Sequence, residues 1–438
     1  MNKIQSFFLN TFYFKIVAVL VLLASSTRYT SFIYECGIYI IVMWSCILLG
    51  ISAWKKQFNY RKADLFLLLF VIGFLVTIIT NLDSNLFKQG FVLMSCLMYF
   101  FVFLIADKKP VKDLVHENFV ILFIIVVISF VIILISYVVF AYDMVTGANH
   151  TYNLHGGNSL QFIGIYDGLS TQALISGISM LASLGFLISD NTYNGIKHKR
   201  GFIAFNCINF LVQDISVTIS YTAAGVVAVG AALIFGIFYV LMKKINTKHI
   251  IKIPIAIVVT LLIVIGHYAL LNYSCSKVVN SVVGIGNNSV SIQADDTTDD
   301  LYTSNGRFEI WEAAVEQWKN APVFGNGYGT FSVEFPIEIN KKIEYVEYNN
   351  THSGYLEVLY SCGLWGFIMI MLFGVYYLLG YLKNVFVSKN MYAYIGMTMI
   401  IVHACLYAAI NELFVLDRNI SVLLLCVFLG LARKELAK

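Results

Sequence analysis

The chain has 438 residues, 59% of them hydrophobic and 12% charged, with a formal net charge of +4. Soluble domains average about 25% charged residues, so this composition excludes a water-soluble globule and makes the bilayer the solvent that sets the fold. The modest positive charge is no footprint of a nucleic-acid binder; its placement along the chain sets orientation instead.

Four prolines and long apolar runs favour helices over a barrel, whose sequence would alternate in segments of about ten residues. About 20 apolar residues cross a hydrocarbon core of about 30 Å. Twelve candidate spans lie near 12–26, 32–54, 63–81, 90–106, 117–142, 169–189, 203–219, 221–242, 250–271, 354–382, 391–410 and 419–433. The first carries Lys15 and lacks a small-residue cleavage site, so it reads as a helix and not a signal peptide. The expected fold is an all-α integral membrane protein of about 12 transmembrane helices, with one large loop between helices 9 and 10. Its expected parts are helices 1–9 in residues 1–271, an extracytoplasmic loop in 272–353 and helices 10–12 in 354–438.

With the N-terminus cytoplasmic, the inner segments hold 20 Lys and Arg and the outer segments 8. Cytoplasmic loops attract this excess, which predicts both termini inside and 272–353 outside, together with a smaller polar loop near 143–168. Outside a bacterial membrane there is no ATP or NAD, so chemistry there needs a substrate that is already activated. The eight cysteines are scattered without a CxxC pair, and they read as small apolar residues.

The junction Val217 to Gly225 has no real loop. It reads either as irregular backbone lining a cavity or as a tight helical hairpin packed through small residues. Residues 284–304 are rich in Gly, Asn, Ser, Asp and Thr and read as an unpacked outer loop.

Residues 306–320 predict an amphipathic helix, with Phe308, Trp311, Val315 and Trp318 recurring on one face. Ser304 or Asn305 is placed to cap it, and Pro322 to stop it. Such a helix suits the membrane interface with its aromatic face down. Arg307 then stands in the first turn, where a planar guanidinium and free N–H groups suit a phosphate. Gly325-Asn326-Gly327-Tyr328-Gly329 lacks the strand and helix of a nucleotide loop and reads as a tight turn. His352 falls just before the tenth span, and an imidazole titrating near neutrality suits proton transfer. No metal-binding histidine spacing accompanies it. His267 and His403 lie within spans as expected bundle hydrogen-bonders, and His150 and His155 lie in the smaller loop. Glu35, Asp214 and Glu357 are membrane acids that need partners.

These residues resemble the bacterial O-antigen ligase and polymerase family. The match is Gly306, Arg307, Trp311, Pro322, Gly325, Gly327, Gly329, Phe331, His352, Tyr355, Leu356, Gly363 and Gly366. Many members also carry a Ser-Arg pair opening a mid-chain helix, where this chain has Ser220-Tyr221, and His-Asn where it has His352-Ser353. Arg28, Lys341, Lys342 and Arg418 are outward-facing alternatives for the missing arginine.

The resemblance implies inverting, metal-independent glycosyl transfer from an undecaprenyl-diphosphate-linked glycan, with no cofactor. Arg307 is expected to hold the departing diphosphate and His352 to act as general base. Trp311, Gly325, Gly327, Tyr328, Tyr355 and Tyr221 are expected to contact substrate. Expected partners are the glycan donor, a glycan or lipid A core acceptor, membrane lipid and a chain-length regulator protein. The polymerase reading is preferred, because the absent Ser-Arg pair marks a divergent member; a ligase is the alternative. A transporter or flippase is a third reading. Asp214, Glu35 and the 217–225 junction favour it, and the large loop and lack of a repeat oppose it.

Overall fold

The computed structural model describes the chain except for residues 1–2, 59, 83–85, 106–108, 149, 156–158, 190–199, 221, 247, 284–306, 340–341, 388–391, 412–414 and 436–438. Tyr221, Gly306, Lys341, the caps expected at Ser304 or Asn305, and the 284–304 loop lie outside the described residues.

Each of the twelve expected spans folds as a helix. After a short α1 (Lys3–Phe8) come α2 (Thr11–Ser25), α3 (Ser31–Trp54), α4 (Asp64–Thr80), α5 (Leu86–Leu104) and α6 (Val111–Thr146). Then follow α7 (Leu169–Ile188), α8 (Arg200–Ile219), α9 (Ala223–Lys244) and α10 (His249–Val283). The loop helix α11 (Arg307–Trp318) precedes α12 (Gly354–Val387), α13 (Tyr392–Ile410) and α14 (Ile420–Glu435). Among the described residues eight helices are long and apolar enough to cross a membrane, and α2, α4 and α13 are shorter apolar helices. The protein is an all-α multi-pass membrane protein.

Two antiparallel hairpins decorate one end of the bundle, called the loop end below. The first pairs β1 (Tyr152–His155) with β2 (Ser159–Phe162), with Tyr152 opposite Phe162. The second pairs β3 (Val333–Ile339) with β4 (Lys342–Tyr348), with Val333 opposite Tyr348.

Helix α7 is central: 78% of its apolar window is buried, against 17% for α10, whose Leu262, Ile265 and Leu270 face outward. In lipid, apolar surface gains little by hiding, so close packing holds helices together. A Cβ on Gly185 of α7 would lie 2.5 Å from the Cα of Gly396 on α13, so glycine at both positions lets the two backbones touch. Polar side chains inside the bundle pair with each other, because lipid offers them nothing. The Asn209 amide donates to Ser179 Oγ at 3.0 Å and Ser183 Oγ at 2.8 Å, and Gln172 donates to Ser216.

Four features differ from the sequence expectations. Helix α10 runs to Val283, past residue 271; at about 1.5 Å per residue it is longer than the hydrocarbon core is thick, so its end protrudes. Helices α8 and α9 are not a tight hairpin: α8 packs on α7, and α9 packs chiefly on α13. Helix α11 packs on the protein through Ile310 and Ala314, which the sequence reading did not single out, while Phe308 of the expected membrane-facing side is 66% exposed. His403, expected to hydrogen-bond, is fully buried with neither ring nitrogen bonded. It stacks on Tyr407 instead, with ring centroids 5.5 Å apart.

Candidate active site

The site is built on a break in α12. Gly363 has φ 65° inside that helix, which leaves carbonyls unpaired before it and amides unpaired after it. The Pro322–Gly329 turn supplies partners for both sets. Asn326 and Gly327 amides donate to the Tyr360 and Ser361 carbonyls at 2.9 and 3.1 Å, and Leu364 and Trp365 amides donate to the Pro322 and Val323 carbonyls at 2.9 and 3.0 Å. The crossing needs glycine: a Cβ on Gly363 would lie 2.3 Å from the Val323 oxygen, and one on Gly325 2.5 Å from the Gly363 nitrogen. Gly325 and Gly327 thus contribute backbone packing against α12.

The same turn holds α11. Asn326 Nδ2 donates to the Gln317 carbonyl at 3.2 Å, and Trp318 Nε1 donates to the Pro322 carbonyl at 3.1 Å. Ile310 and Ala314 pack with Phe331 and Tyr360. The N-terminus of α11, which begins with Arg307 itself, is thereby fixed over the loop end.

His352 enters from the other side, on the turn that joins β4 to α12. Its backbone is left-handed at φ 47°, a conformation rare for a side chain with a Cβ and often concentrated at functional sites. Its amide donates to Asn350 Oδ1 at 3.2 Å, and Thr351 Oγ1 donates to the Ser353 carbonyl at 2.8 Å. The ring lies beside Tyr348, with centroids 5.9 Å apart.

Arg307 and His352 come together. Burial, and then the positive charge of Arg307, push the His352 imidazole below its ordinary pKa. Burial also lowers the pKa of Arg307, partly offset by Tyr407 nearby; the guanidinium nonetheless remains protonated, as arginine does in proteins. Among the described residues Arg307 makes no ion pair. The result is a neutral imidazole beside a fixed cation: a proton acceptor next to a group that stabilises developing negative charge.

Residues not singled out in the sequence frame this pair. Tyr407 Oη donates to the Ser170 carbonyl at 2.5 Å, and Ser170 Oγ donates to Asn411 Oδ1 at 3.2 Å. The Gly354 amide donates to the Asn411 carbonyl at 2.7 Å. These bonds tie the start of α7, the end of α13 and the start of α12 into one cluster. Helix starts carry partial positive charge, which favours an anion. The one signal in the sequence was Tyr407 and Asn411 four residues apart near the end of an apolar helix, polar groups that need a reason to be there.

The other expected residues fall at varied distances from this pair. Trp311, one turn along α11, has a buried Nε1 without a partner. Tyr355 Oη donates to the Cys405 carbonyl at 2.9 Å. Tyr328 lies near Lys88, whose ammonium is 5.4 Å from the ring centroid. Of the alternative cations, Arg28 donates to the His150 carbonyl at 2.9 Å and Arg418 lies 5.2 Å from the Phe91 ring centroid; neither acts on His352. Lys342 falls in β4. Among the membrane acids, Asp214 Oδ2 is 2.8 Å from His267 Nε2, and Glu357 Oε1 accepts from Ser361 Oγ at 3.0 Å. Among the described residues no group of three or more His, Cys, Asp or Glu gathers where it would hold a metal.

Residues 208–371, from α8 into the second half of α12, match the family model described as O-antigen ligase. The resemblance to the O-antigen ligase and polymerase family holds. No curated protein matches the chain. The matched stretch contains Arg307, His352 and the glycines of the α12 break, but neither Tyr407 nor Ser170. An O-antigen ligase domain implies an enzyme of glycosyl-transfer type, working in the membrane on a lipid-linked glycan and an acceptor.

Proposed function

We propose that this protein polymerises undecaprenyl-diphosphate-linked oligosaccharide repeat units of a surface polysaccharide, an O-antigen or capsule. Transfer is inverting and independent of metal, on the outer face of the bacterial cytoplasmic (inner) membrane. The observation that carries the reading is the pairing of Arg307 with a neutral His352 at the loop end. Arg307 takes the diphosphate that departs from the donor sugar, through the fork of donors that suits phosphate. His352 takes the proton from the attacking acceptor hydroxyl. The membrane helices hold the polyprenyl tail, and the loop orients the two sugars so that attack is effectively intramolecular. The Lys and Arg asymmetry supports cytoplasmic termini and an outward loop end. A chain-length regulator is the expected protein partner.

A second reading is an O-antigen ligase that moves the finished glycan to lipid A core; the matching family model does not separate it from a polymerase. A deletion strain with its glycans resolved on a gel separates the two. Single-repeat lipopolysaccharide indicates a lost polymerase. Bare core with accumulated lipid-linked polymer indicates a lost ligase, and an unchanged glycan ladder sinks both.

A further inference from the structure

A cavity of about 170 Å³ adjoins the His352 turn, walled by Lys88, Tyr328, Asn349, Asn350, Glu357 and Asp417. We propose that it binds one sugar ring of the acceptor glycan and holds the attacking hydroxyl toward His352. The proposal rests on the glycosyl-transfer reading above.

Position is the first argument. Asn350 in the cavity wall accepts a hydrogen bond from the His352 amide at 3.2 Å, and Gly354, two residues beyond His352, also borders the cavity. The proton acceptor and the cavity therefore share one turn of backbone.

Charge is the second. The wall carries two carboxylates and one ammonium, and Arg307 is not part of it. Without a guanidinium fork in its wall, this space is a poor match for a diphosphate. The donor's anionic part belongs with Arg307, which leaves this space to the partner that brings hydroxyls.

The third argument is the match of groups. Sugar hydroxyls both donate and accept; carboxylates accept, and amides do both. Glu357 is already oriented, with Ser361 Oγ donating to Oε1 at 3.0 Å and the Thr351 amide donating to Oε2 at 3.4 Å, and each carboxylate oxygen keeps further acceptor capacity. Asp417 Oδ2 accepts from Asn419 Nδ2 at 3.2 Å. Tyr328, with the Lys88 ammonium 5.4 Å from its ring centroid, is the aromatic residue of the wall. Pockets for drug-sized ligands run to about 300–1,000 Å³, so this smaller space suits a single ring and not a polyprenyl chain.

The test uses the purified full-length protein and two lipid-free probes that can accept but not donate. One is the repeat-unit oligosaccharide released from the host's own glycan; the other is the core oligosaccharide. At least one should bind the wild type, and transfer from the lipid-linked donor should show a measurable acceptor KM. In Tyr328→Ala and Asp417→Asn, binding should weaken and acceptor KM rise by about tenfold, the loss of one hydrogen bond to a charged group or of equivalent contact. Donor KM and kcat should stay near wild type. Tyr328→Phe, which keeps the ring, should bind as the wild type does and shows that the turn still folds. His352→Ala should bind either probe normally while failing to transfer. Repeat-unit binding supports the polymerase, and core binding supports the ligase with the same subsite. Unchanged acceptor KM and binding in both Tyr328→Ala and Asp417→Asn, beside an active wild type, overturns the cavity assignment and leaves the functional reading standing. A wild type that neither binds a probe nor transfers overturns the functional reading, and this inference with it.

Discussion

The two ends of the bundle treat a buried arginine in opposite ways. Away from the loops, Arg433 on α14 is fully buried and pairs with Asp64 on α4 at 2.6 Å, and Tyr377 Oη donates to the same carboxylate at 2.5 Å. Likewise, Lys15 on α2 meets Glu117 on α6 at 3.2 Å, with Lys109 on the same acid. At the loop end Arg307 is half-buried, makes no ion pair among the described residues, and bears on a histidine. A buried charge is costly unless paired. The paired cations are therefore parts of the scaffold, and the unpaired one is, on the function proposed above, held ready for an anion that arrives from elsewhere. The contrast sets Arg433, paired within the bundle, apart from Arg307, the cation assigned to the donor in the proposed function.

The sharpest way to break the contrast is at the loop end. His352→Ala should lower transfer by about 10²–10⁴-fold, the usual contribution of a general base. Thermal unfolding in detergent and binding of the lipid-linked donor should stay as in the wild type, because Arg307 and the α12 clasp are untouched. Normal product length and amount in a well-expressed His352→Ala protein would remove the base from the mechanism.

At the opposite end the effect should appear in stability. Asp64→Ala leaves Arg433 charged, buried and unpaired, which costs about 3–5 kcal/mol by analogy with broken buried pairs. The melting temperature should fall clearly, and Asp64→Ala with Arg433→Met should recover most of the loss. If Asp64→Ala melts as the wild type does, Arg433 is no scaffold arginine and the comparison between the ends fails.

Arg307→Lys tests the loop-end cation more gently. The charge stays and the two-pronged geometry goes. A loss near about 10²-fold in transfer is expected, the low end for removing one charge-stabilising donor, with unfolding unchanged. Full activity at normal protein level would reduce Arg307 to a headgroup anchor.

How far the sequence reaches follows from which interactions are local. The twelve helices were legible because apolar runs of membrane length leave the backbone little other choice. Arg307 and His352 were legible because each sits at a helix start next to a motif. Their juxtaposition was not, because it depends on the Pro322–Gly329 turn docking into the α12 break 34 to 42 residues away. Gly363 shows this most plainly: in sequence it is one more small residue in an apolar helix, and only the Val323 carbonyl beside it explains the break. Tyr407 and Ser170 were missed for the same reason, since they reach the site through helix packing. Ile310 and Ala314 were missed as the face that packs on the protein, since helical spacing identifies an apolar face but not what covers it.

The smallest expected effect is a shift in pH dependence, and it probes the coupling of the two site residues directly. Burial and the Arg307 charge both hold the His352 pKa below its ordinary value of about 6.5. A base works when deprotonated, so wild-type activity should fall only as pH drops below that value. Removing the positive neighbour makes protonation easier, so Arg307→Gln should move the His352 titration to higher pH. Burial remains, so the shift should be partial. Because Arg307→Gln is expected to transfer too slowly to follow, the readout is diethylpyrocarbonate, which attacks only the neutral ring and whose rate at His352 can be followed by mass spectrometry. The midpoint of that rate should rise with pH in Arg307→Gln relative to the wild type, and should stay put in Arg418→Gln, whose guanidinium lies over Phe91. Equal midpoints in the wild type and Arg307→Gln would show that the two residues are not coupled, and the pairing that carries the functional reading would be lost.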